Sequence, residues 1–167
     1  SLLLVISAWA SELEYYSMWN KGEPHQIAFD QIISDFEKLN PEIKVKVVWA
    51  GRAVMTKIRP RVLAGNPPDI TDQAGSELYA ALVLSDSAQP LNDLLKEKVP
   101  DTGEKLIDIL KPQSYELFQT VKGNLYIIPY EVITSAIWYD GRLFAKFGFQ
   151  VPETWDELMK IARTFKK

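Results

Sequence analysis

The sequence of 167 residues contains no cysteine and a single histidine, and these two shortages exclude several kinds of site. Without cysteine the chain can form no disulfide, no thiolate metal site and no cysteine nucleophile. The one histidine, His25, has no cluster of acidic residues at metal-ligand spacing beside it. The sequence therefore predicts neither a metal site nor a bound cofactor.

A strong charge of one sign and a long hydrophobic run are also lacking. The 19 basic and 22 acidic residues give a net charge of -3, and the basic residues are scattered. This distribution gives no indication of nucleic-acid binding. No segment reaches the ~20 apolar residues that a membrane-spanning helix needs. The hydrophobic content of 47% is that of a globular chain with a sizeable core.

Motifs of catalysis are missing as well. The sequence has no G-x-S-x-G elbow, no glycine-rich phosphate loop and no histidine placed to serve a serine. We therefore do not expect an enzyme. Acidic residues are abundant, so a secreted glycoside hydrolase with two carboxylates stays open as an alternative of another class.

The first ten residues resemble the end of a secretory signal peptide. Leu2 to Ile6 is an unbroken apolar run, and Ala8-x-Ala10 has the small residues that signal peptidase recognises. On this interpretation residues 1–10 are a remnant of the signal, and the mature protein begins near Ser11 and is periplasmic or extracellular. The alternative is a first β-strand with the sequence LLLVIS.

In the next part of the chain, segments with the hydrophobic period of a strand alternate with segments with the hydrophobic period of a helix. This alternation is typical of an open α/β sheet. The predicted elements are a strand at 13–19, a helix at 25–39, a strand at 43–49, a helix at 53–64 that contains Pro60 and ends at Gly65, a short buried strand near Ile70 and a helix at 77–84. Short helices broken at Pro100 and Pro112 are expected to follow.

The last third of the chain predicts two strands and a helix. A strand should start after Gly123 and be broken at Pro129, and a second, apolar strand should end at residues 138–140. The helix begins with a capping box, Thr154-x-x-Glu157. Its apolar residues recur at helical spacing, and they are Trp155, Leu158, Met159, Ala162 and Phe165.

Several motifs occur in the order found in one protein family. They are Phe36-Glu37-Lys38-x-Asn40-Pro41-x-Ile43-x-Val45, Leu63-Ala64-Gly65-x-x-Pro68-Asp69-Ile70, Pro90-Leu91-x-Asp93-Leu94, Gly123-x-x-Tyr126-x-x-Pro129, Trp138-Tyr139-Asp140 and Pro152-Glu153-Thr154-Trp155-Asp156-Glu157-Leu158. The chain thereby resembles the N-terminal part of extracellular solute-binding proteins of family 1, the sugar-binding receptors of ABC importers.

This resemblance implies a periplasmic-binding-protein-like (type II) fold, an α/β lobe with an open mixed sheet flanked by helices. Residues 11–130 would form the first lobe. Residues 131–167 would form a hinge crossing and the start of an incomplete second lobe. With half of the cleft missing, the chain alone should bind ligand weakly, and it should associate with another copy or with the missing C-terminal portion.

In open α/β sheets, ligands bind beyond the carboxyl ends of the strands. This rule, together with the regions where the family contacts sugar, predicts these ligand-binding residues: Trp19, Asn20, Arg52, Asp72, Gln73, Tyr130 and Glu131. Sugars offer apolar C–H faces to aromatic rings and hydroxyls to polar side chains. Glu131 is the strongest candidate, because a carboxylate between apolar strands at a hinge needs a partner or a cleft.

Each candidate also has a structural interpretation. Trp19 can be a core residue, and Arg52 can be an ordinary charge in a solvated loop. Trp49 and Trp138 lie in apolar strands and are expected in the core, and Trp155 is expected to be structural.

The resemblance implies a receptor whose two lobes close around a mono- or oligosaccharide and which then delivers it to a membrane permease. A receptor of the same fold for a polyamine, a phosphate ester or a metal chelate is the alternative within the family.

Overall fold

The computed structural model describes residues 11–118, 123–133 and 135–165. The expected signal-peptide remnant at 1–10, and the alternative strand there, lie outside the described residues. The chain divides into two compact units, Ser1–Tyr130 and Glu131–Lys167. The assignment of these two units to two lobes stays a prediction.

The first unit is built on a parallel sheet. Its strands are β1 (Ser11–Ser17), β2 (Ile43–Trp49) and β3 (Ile70–Thr71), in the spatial order β2-β1-β3. Ser11 lies opposite Ile43 and Ser17 opposite Trp49, so the carboxyl ends of the strands share one edge. The open α/β architecture is confirmed, and the described strands of this predicted mixed sheet are all parallel.

Helices follow the first two strands as the sequence pattern predicts. They are α1 (Pro24–Leu39) and α2 (Val54–Leu63). Helix α3 (Gly75–Leu78) continues without a break into a π-helical turn at Tyr79–Val83. This turn extends the helix over nearly the whole predicted range of 77–84, with one wider turn inserted.

The end of α2 shows how glycine stops a helix. The Gly65 N–H donates to the Val62 carbonyl oxygen at 3.0 Å, and the Asn66 N–H donates to the Arg61 carbonyl oxygen at 2.9 Å. This pair of bonds is a Schellman motif, and it requires the left-handed φ of 71° that Gly65 adopts. The predicted glycine cap is confirmed, whereas the bend expected at Pro60 stays a prediction.

The core of the first unit lies against one face of α2. Val54 and Ile58 are fully buried, and Leu78 and Ile127 pack with them. The apolar stripe of α1 predicts that other parts of the chain cover this helix. They do so incompletely, since 83% of Leu39 is exposed.

The prediction of a buried third strand is wrong. Ile70 is 48% exposed, because β3 has only two residues and pairs with β1 alone. As a strand at the edge of the described sheet, it has a neighbour on one side only.

The segment from Pro90 to Phe118 contains short helices, as expected. They are a 3₁₀ turn at Leu94–Lys96, α4 (Leu106–Ile109), α5 (Pro112–Tyr115) and a 3₁₀ turn at Glu116–Phe118. Pro112 does not break a helix but begins one, because the first helical turn needs no N–H from that residue.

The predicted strand leading to Pro129 is not a strand in the described residues. Leu125 is buried, but its N–H donates to Asn92 Oδ1 at 3.1 Å and its carbonyl accepts from the Leu91 N–H at 2.7 Å. Asn92 Nδ2 also donates to the Gly123 carbonyl at 3.1 Å. A side chain and a loop thus supply the hydrogen bonds that a neighbouring strand would supply.

The described residues of the second unit form two helices, α6 (Gly141–Phe147) and α7 (Trp155–Phe165). Asp140 caps α6 by accepting from the Arg142 N–H at 2.9 Å. The capping box of α7 is confirmed, since the Glu157 N–H donates to Thr154 Oγ1 at 3.3 Å and the Thr154 N–H donates to Glu157 Oε2 at 3.2 Å.

The strand predicted to end at residues 138–140 is absent from the described residues of this unit. Trp138 is 91% exposed, so its expected place in the core is also wrong. The described part of the unit contains no strand that could pair with this segment, and an extended chain without a partner forms no sheet. Thr134, within the same segment, lies outside the described residues.

Candidate functional site

Three loops meet where the parallel strands end. They follow β1 (residues 18–23), β2 (residues 50–53) and β3 (residues 72–74). The Gly51 N–H donates to the Trp19 carbonyl at 3.3 Å, and the Asp72 N–H donates to the Tyr16 carbonyl at 3.3 Å. Backbone hydrogen bonds therefore join the second loop to the first and the third loop to the end of β1.

Gly51, in the second loop, packs against Asn20 of the first loop. Its φ of 75° is left-handed, and a Cβ at this position would lie 2.5 Å from Asn20 Oδ1. Only glycine fits both the backbone conformation and the space. The sequence predicts a turn here but not that the turn touches Asn20.

Trp19 is at the centre of the site and is buried, with 6% of its surface exposed. Its Nε1–H donates to the Tyr130 hydroxyl at 3.0 Å. The His25 ring is stacked on the indole with 3.6 Å between centroids, and Arg52 Cζ lies over the indole 4.2 Å from its centroid. In this structure the indole is thus the packed base of the site.

Tyr130, which accepts the hydrogen bond from Trp19, is itself bonded to Asp72. The Tyr130 hydroxyl donates to Asp72 Oδ2 at 2.6 Å, and Asp72 Oδ1 accepts from the Met18 N–H at 2.8 Å. Burial, followed by the hydrogen bond to Asp72, raises the pKa of Tyr130. The Asp72 side chain is buried, whereas Tyr130 is 52% exposed and is contacted edge-on by Phe29. Tyr130 therefore presents a fixed aromatic surface to solvent.

Arg52 joins all three loops. Its Nη1 donates to the Met18 carbonyl at 2.6 Å and pairs with Glu23 Oε2 at 3.2 Å. Its own carbonyl accepts from Gln73 Nε2 at 2.9 Å. The alternative of an isolated solvated charge does not hold for Arg52 in this structure, although the side chain remains half exposed.

Glu23 belongs to the site, although sequence reasoning missed it. Glu23 Oε2 accepts from the Asn20 N–H at 2.8 Å, and Oε1 accepts from Asn20 Nδ2 at 3.2 Å. Hydrogen bonds from the Asn20 backbone and side chain, and then the Arg52 charge, lower the pKa of Glu23. In the sequence, Glu23-Pro24 signals only the start of a helix. His25 and Phe29, also missed, join the site from the first turns of α1.

Six of the seven predicted ligand-binding residues come together in the first unit. They are Trp19, Asn20, Arg52, Asp72, Gln73 and Tyr130. Glu131 is exposed and begins the second unit, so its place in the site stays a prediction.

Three charged side chains of this cluster have partners within the described residues, since Arg52 faces Glu23 and Asp72 receives two hydrogen bonds. Across the described ranges, no group of three or more acidic or histidine side chains is placed to hold a metal ion. In the same ranges, no helix has the length and apolar character to cross a membrane.

Comparison with known proteins gives the same fold and adds a family. Residues 22–167 match the pattern of the family described as bacterial extracellular solute-binding protein. The structure is similar to that of a sugar transporter of Bacillus licheniformis in complex with stachyose. The TM-score is 0.71 at 25% identity over 93% of this chain and 37% of that one. The type II periplasmic binding fold is therefore confirmed.

Two curated relatives show the extent of the similarity. An uncharacterized ABC transporter extracellular-binding protein of Pyrococcus horikoshii is 31% identical over 93% of this chain and 35% of its own length. A diacetylchitobiose binding protein of Streptomyces coelicolor is 30% identical over 68% of this chain and 24% of its own length. This chain thus spans about a third or less of these relatives, and it belongs to the bacterial extracellular solute-binding protein family.

Proposed function

We propose that the chain is part of an extracytoplasmic receptor of an ABC importer and that the receptor binds a mono- or oligosaccharide. The observation that carries the proposal is the joined aromatic and polar cluster at the carboxyl edge of the sheet. Trp19, Arg52 and Tyr130 come from distant parts of the chain and meet there. Ligands of open α/β sheets bind at this edge.

The cluster has the two kinds of surface that recognise a sugar. Tyr130 is fixed by hydrogen bonds to Trp19 and Asp72 but keeps half of its surface exposed, which suits the C–H face of a pyranose. Asn20 and Arg52 belong to the same cluster, are exposed and carry N–H donors for hydroxyl oxygens. The compounds named for two similar proteins, diacetylchitobiose and stachyose, are both saccharides.

The alternatives are a polyamine, a phosphate ester or a metal chelate. A polyamine site needs unpaired carboxylates and an anion site needs unpaired cations. In the described part of the cluster, Asp72 is bonded to Met18 and Tyr130, and Arg52 is paired with Glu23. This pairing favours an uncharged ligand, and a secreted glycoside hydrolase has no support from any observation of the site.

The proposed mechanism is closure of two lobes. Residues 11–130 would supply the first wall of the cleft, and residues 131–167 would supply the hinge crossing and begin the second wall. A ligand that contacts both walls binds the closed form more tightly and so favours closure. The closed form would then dock on the permease, in the periplasm or outside the cell, and Glu131 would face the cleft at the crossing.

A thermal-shift screen of the full-length protein against mono- and oligosaccharides tests this function. Spermidine and glycerol phosphate represent the charged alternatives. We expect stabilisation by at least one saccharide and by neither charged compound, because a ligand that binds only the native state raises its stability. Stabilisation by spermidine or glycerol phosphate alone would contradict the proposal.

A variant links the binding to this site. Tyr130→Ala should weaken binding of the saccharide found in the screen by about tenfold or more, because it removes one aromatic contact and also the hydrogen-bond partner of Trp19 and Asp72. Phe36→Ala is the matched control, because Phe36 is a partly exposed aromatic residue of α1. An equal loss of affinity in both variants would count against a saccharide site at Tyr130.

A further inference from the structure

The side chain of Glu23 lies between two residues of the proposed site. Its carboxylate accepts from the Asn20 N–H at 2.8 Å and from Asn20 Nδ2 at 3.2 Å, and it lies 3.2 Å from Arg52 Nη1. The two carboxylate oxygens therefore fix an amide and a guanidinium at the same time. Within the first loop, Glu23 is the carboxylate that pairs with Arg52.

The remaining N–H groups of Arg52 point to a role in ligand contact. The guanidinium has five N–H donors, and within the described chain only those of Nη1 are used, for the Met18 carbonyl and Glu23. About half of the side chain is exposed. Arg52 can therefore offer Nε and Nη2 to a ligand, and the nature of that ligand depends on whether the positive charge is neutralised.

We propose that Glu23 determines the charge class of the ligand: by neutralising Arg52, it makes the site select uncharged sugars over uronate sugars. The inference rests on the function proposed above and specifies its substrate class. Without Glu23, the guanidinium would offer a bidentate partner to the carboxylate of a uronic acid. With Glu23 in place, an incoming carboxylate would face a second carboxylate across Arg52.

The neighbouring charges support this assignment. The carboxylate of Asp72 is buried and bonded to Met18 and Tyr130, whereas Glu23 and Arg52 form a partly exposed ion pair. Lys21, in the same loop as Glu23, is exposed as well. The pKa of Glu23 is lowered by its bonds to Asn20 and by Arg52, so the carboxylate stays charged at neutral and mildly acidic pH. Glu23 thus acts as a positioning and specificity residue through its contact with Arg52.

The test uses Glu23→Gln in the full-length protein, because glutamine keeps the shape and an acceptor for Asn20 while it removes the charge. Calorimetry measures binding of three probe pairs that differ in charge: glucose and glucuronate, galactose and galacturonate, and cellobiose and cellobiouronate. In the wild type the neutral member of a pair should bind more tightly. In Glu23→Gln the ratio should shift toward the uronate by about fivefold, the effect of one partly exposed charge.

Two further variants isolate the cause. Glu42→Gln removes one exposed negative charge next to the start of β2, at the opposite edge of the sheet, and should leave the ratio unchanged. Glu23→Gln combined with Arg52→Gln should restore the wild-type preference for the neutral probe, since the charge that attracts the uronate is then gone. Thermal unfolding of each variant verifies that it is folded.

The possible outcomes distinguish a failure of this inference from a failure of the proposed function. A wild type that prefers neutral probes, with a ratio that Glu23→Gln leaves unchanged, overturns the role of Glu23 and keeps the saccharide receptor. A wild type that prefers uronates overturns the inference in the same way. Binding of no saccharide in the screen or in these pairs by the folded wild type overturns the proposed function, and this inference with it.

Discussion

At the scale of single residues, the Tyr130 hydroxyl links Trp19 to Asp72 in the site of the first unit. The hydroxyl accepts from Trp19 Nε1–H and donates to Asp72 Oδ2, so one oxygen satisfies a buried donor and a buried carboxylate. Buried polar groups are stabilising only when they are paired. The same tyrosine that offers a surface to ligand therefore also holds the base of the site.

Removal of that hydroxyl should destabilise the chain. Tyr130→Phe leaves the Trp19 N–H without its acceptor and takes one of the two bonds from Asp72. We expect the free energy of unfolding to fall by about 1–3 kcal/mol, measured by urea denaturation. Tyr115→Phe is the control, because Tyr115 is half-buried and no hydrogen bond of its hydroxyl is described. Equal stability of the two variants would contradict the role of the Tyr130 hydroxyl.

The raised pKa of Tyr130 predicts that the stability of the folded chain declines at alkaline pH. A tyrosine in the unfolded chain ionises near pH ~10, and burial and Asp72 raise the pKa of Tyr130 in the folded chain. The folded state holds the proton more tightly, so this stabilisation is fully present below about pH 10 and is lost as the pH rises above it. Urea midpoints from pH ~8 to ~11 should fall more steeply for the wild type than for Tyr130→Phe. Parallel curves would show that Tyr130 does not cause the decline.

Sequence reasoning found the residues of the site better than it found their roles. Strand ends indicated Trp19, Arg52 and Asp72, because the carboxyl edge of a parallel sheet is common to all such folds. It did not find Glu23, since the contact with Arg52 joins residues 29 positions apart in the chain. Such a pairing depends on how two loops approach each other, and no local pattern records it.

At the scale of elements, two glycines share a backbone conformation but differ in surroundings. Gly51 ends the turn after β2 with a φ of 75°, and Gly65 ends α2 with a φ of 71°. A Cβ on Gly51 would meet Asn20 Oδ1, whereas a Cβ on Gly65 would have nothing within 4 Å. Substitutions at these two glycines therefore distinguish the effect of backbone strain from the effect of a clash with Asn20.

Alanine at each glycine tests this difference. Both Gly51→Ala and Gly65→Ala should lower the free energy of unfolding by about 1–2 kcal/mol, because an alanine resists the left-handed conformation. Only Gly51→Ala should also weaken saccharide binding, since it displaces Asn20 and the loop that carries Trp19. Urea denaturation and calorimetry measure the two effects. Loss of binding in Gly65→Ala to the same degree would refute a specific role for the turn.

The elements predicted correctly are those whose signals are local. The apolar stripe of α1, the glycine end of α2 and the capping box of α7 each depend on residues within a few positions of one another. The strand expected from Gly123 to Pro129 and the strand expected to end at residues 138–140 rest on apolar composition, and neither is a strand in the described residues. A strand needs a partner in another part of the chain, and composition does not show whether that partner is present.

At the scale of the whole molecule, the first unit has a core and the second has little of one. Val54 and Ile58 are fully buried in the first unit, whereas no described residue of the second unit is buried. In the segment after Glu131, Ile137 and Trp138 are largely exposed and lie outside helices and strands. Resistance to local unfolding should therefore differ sharply between the two units.

Limited proteolysis of the 167-residue chain with chymotrypsin measures this difference. The first cut should follow Trp138 or Tyr139, because exposed chain without regular structure fits a protease active site. Trp138→Ser combined with Tyr139→Ser should slow the first cut, and Trp155→Ser, in an exposed position of α7, should not. A first fragment that ends at buried Tyr15 or Trp19 would contradict the described packing.

The sequence by itself determined the open α/β order of the first unit, the ends of its helices, the family motifs and the edge of the sheet where the site lies. These features depend on short-range periodicity, on caps and on the common direction of parallel strands. The tertiary structure alone decided that Trp19 is the buried base of the site, that Glu23 neutralises Arg52 and that Trp138 is exposed. Burial and ion pairing are set by contacts between distant residues, which exist only once the chain has folded.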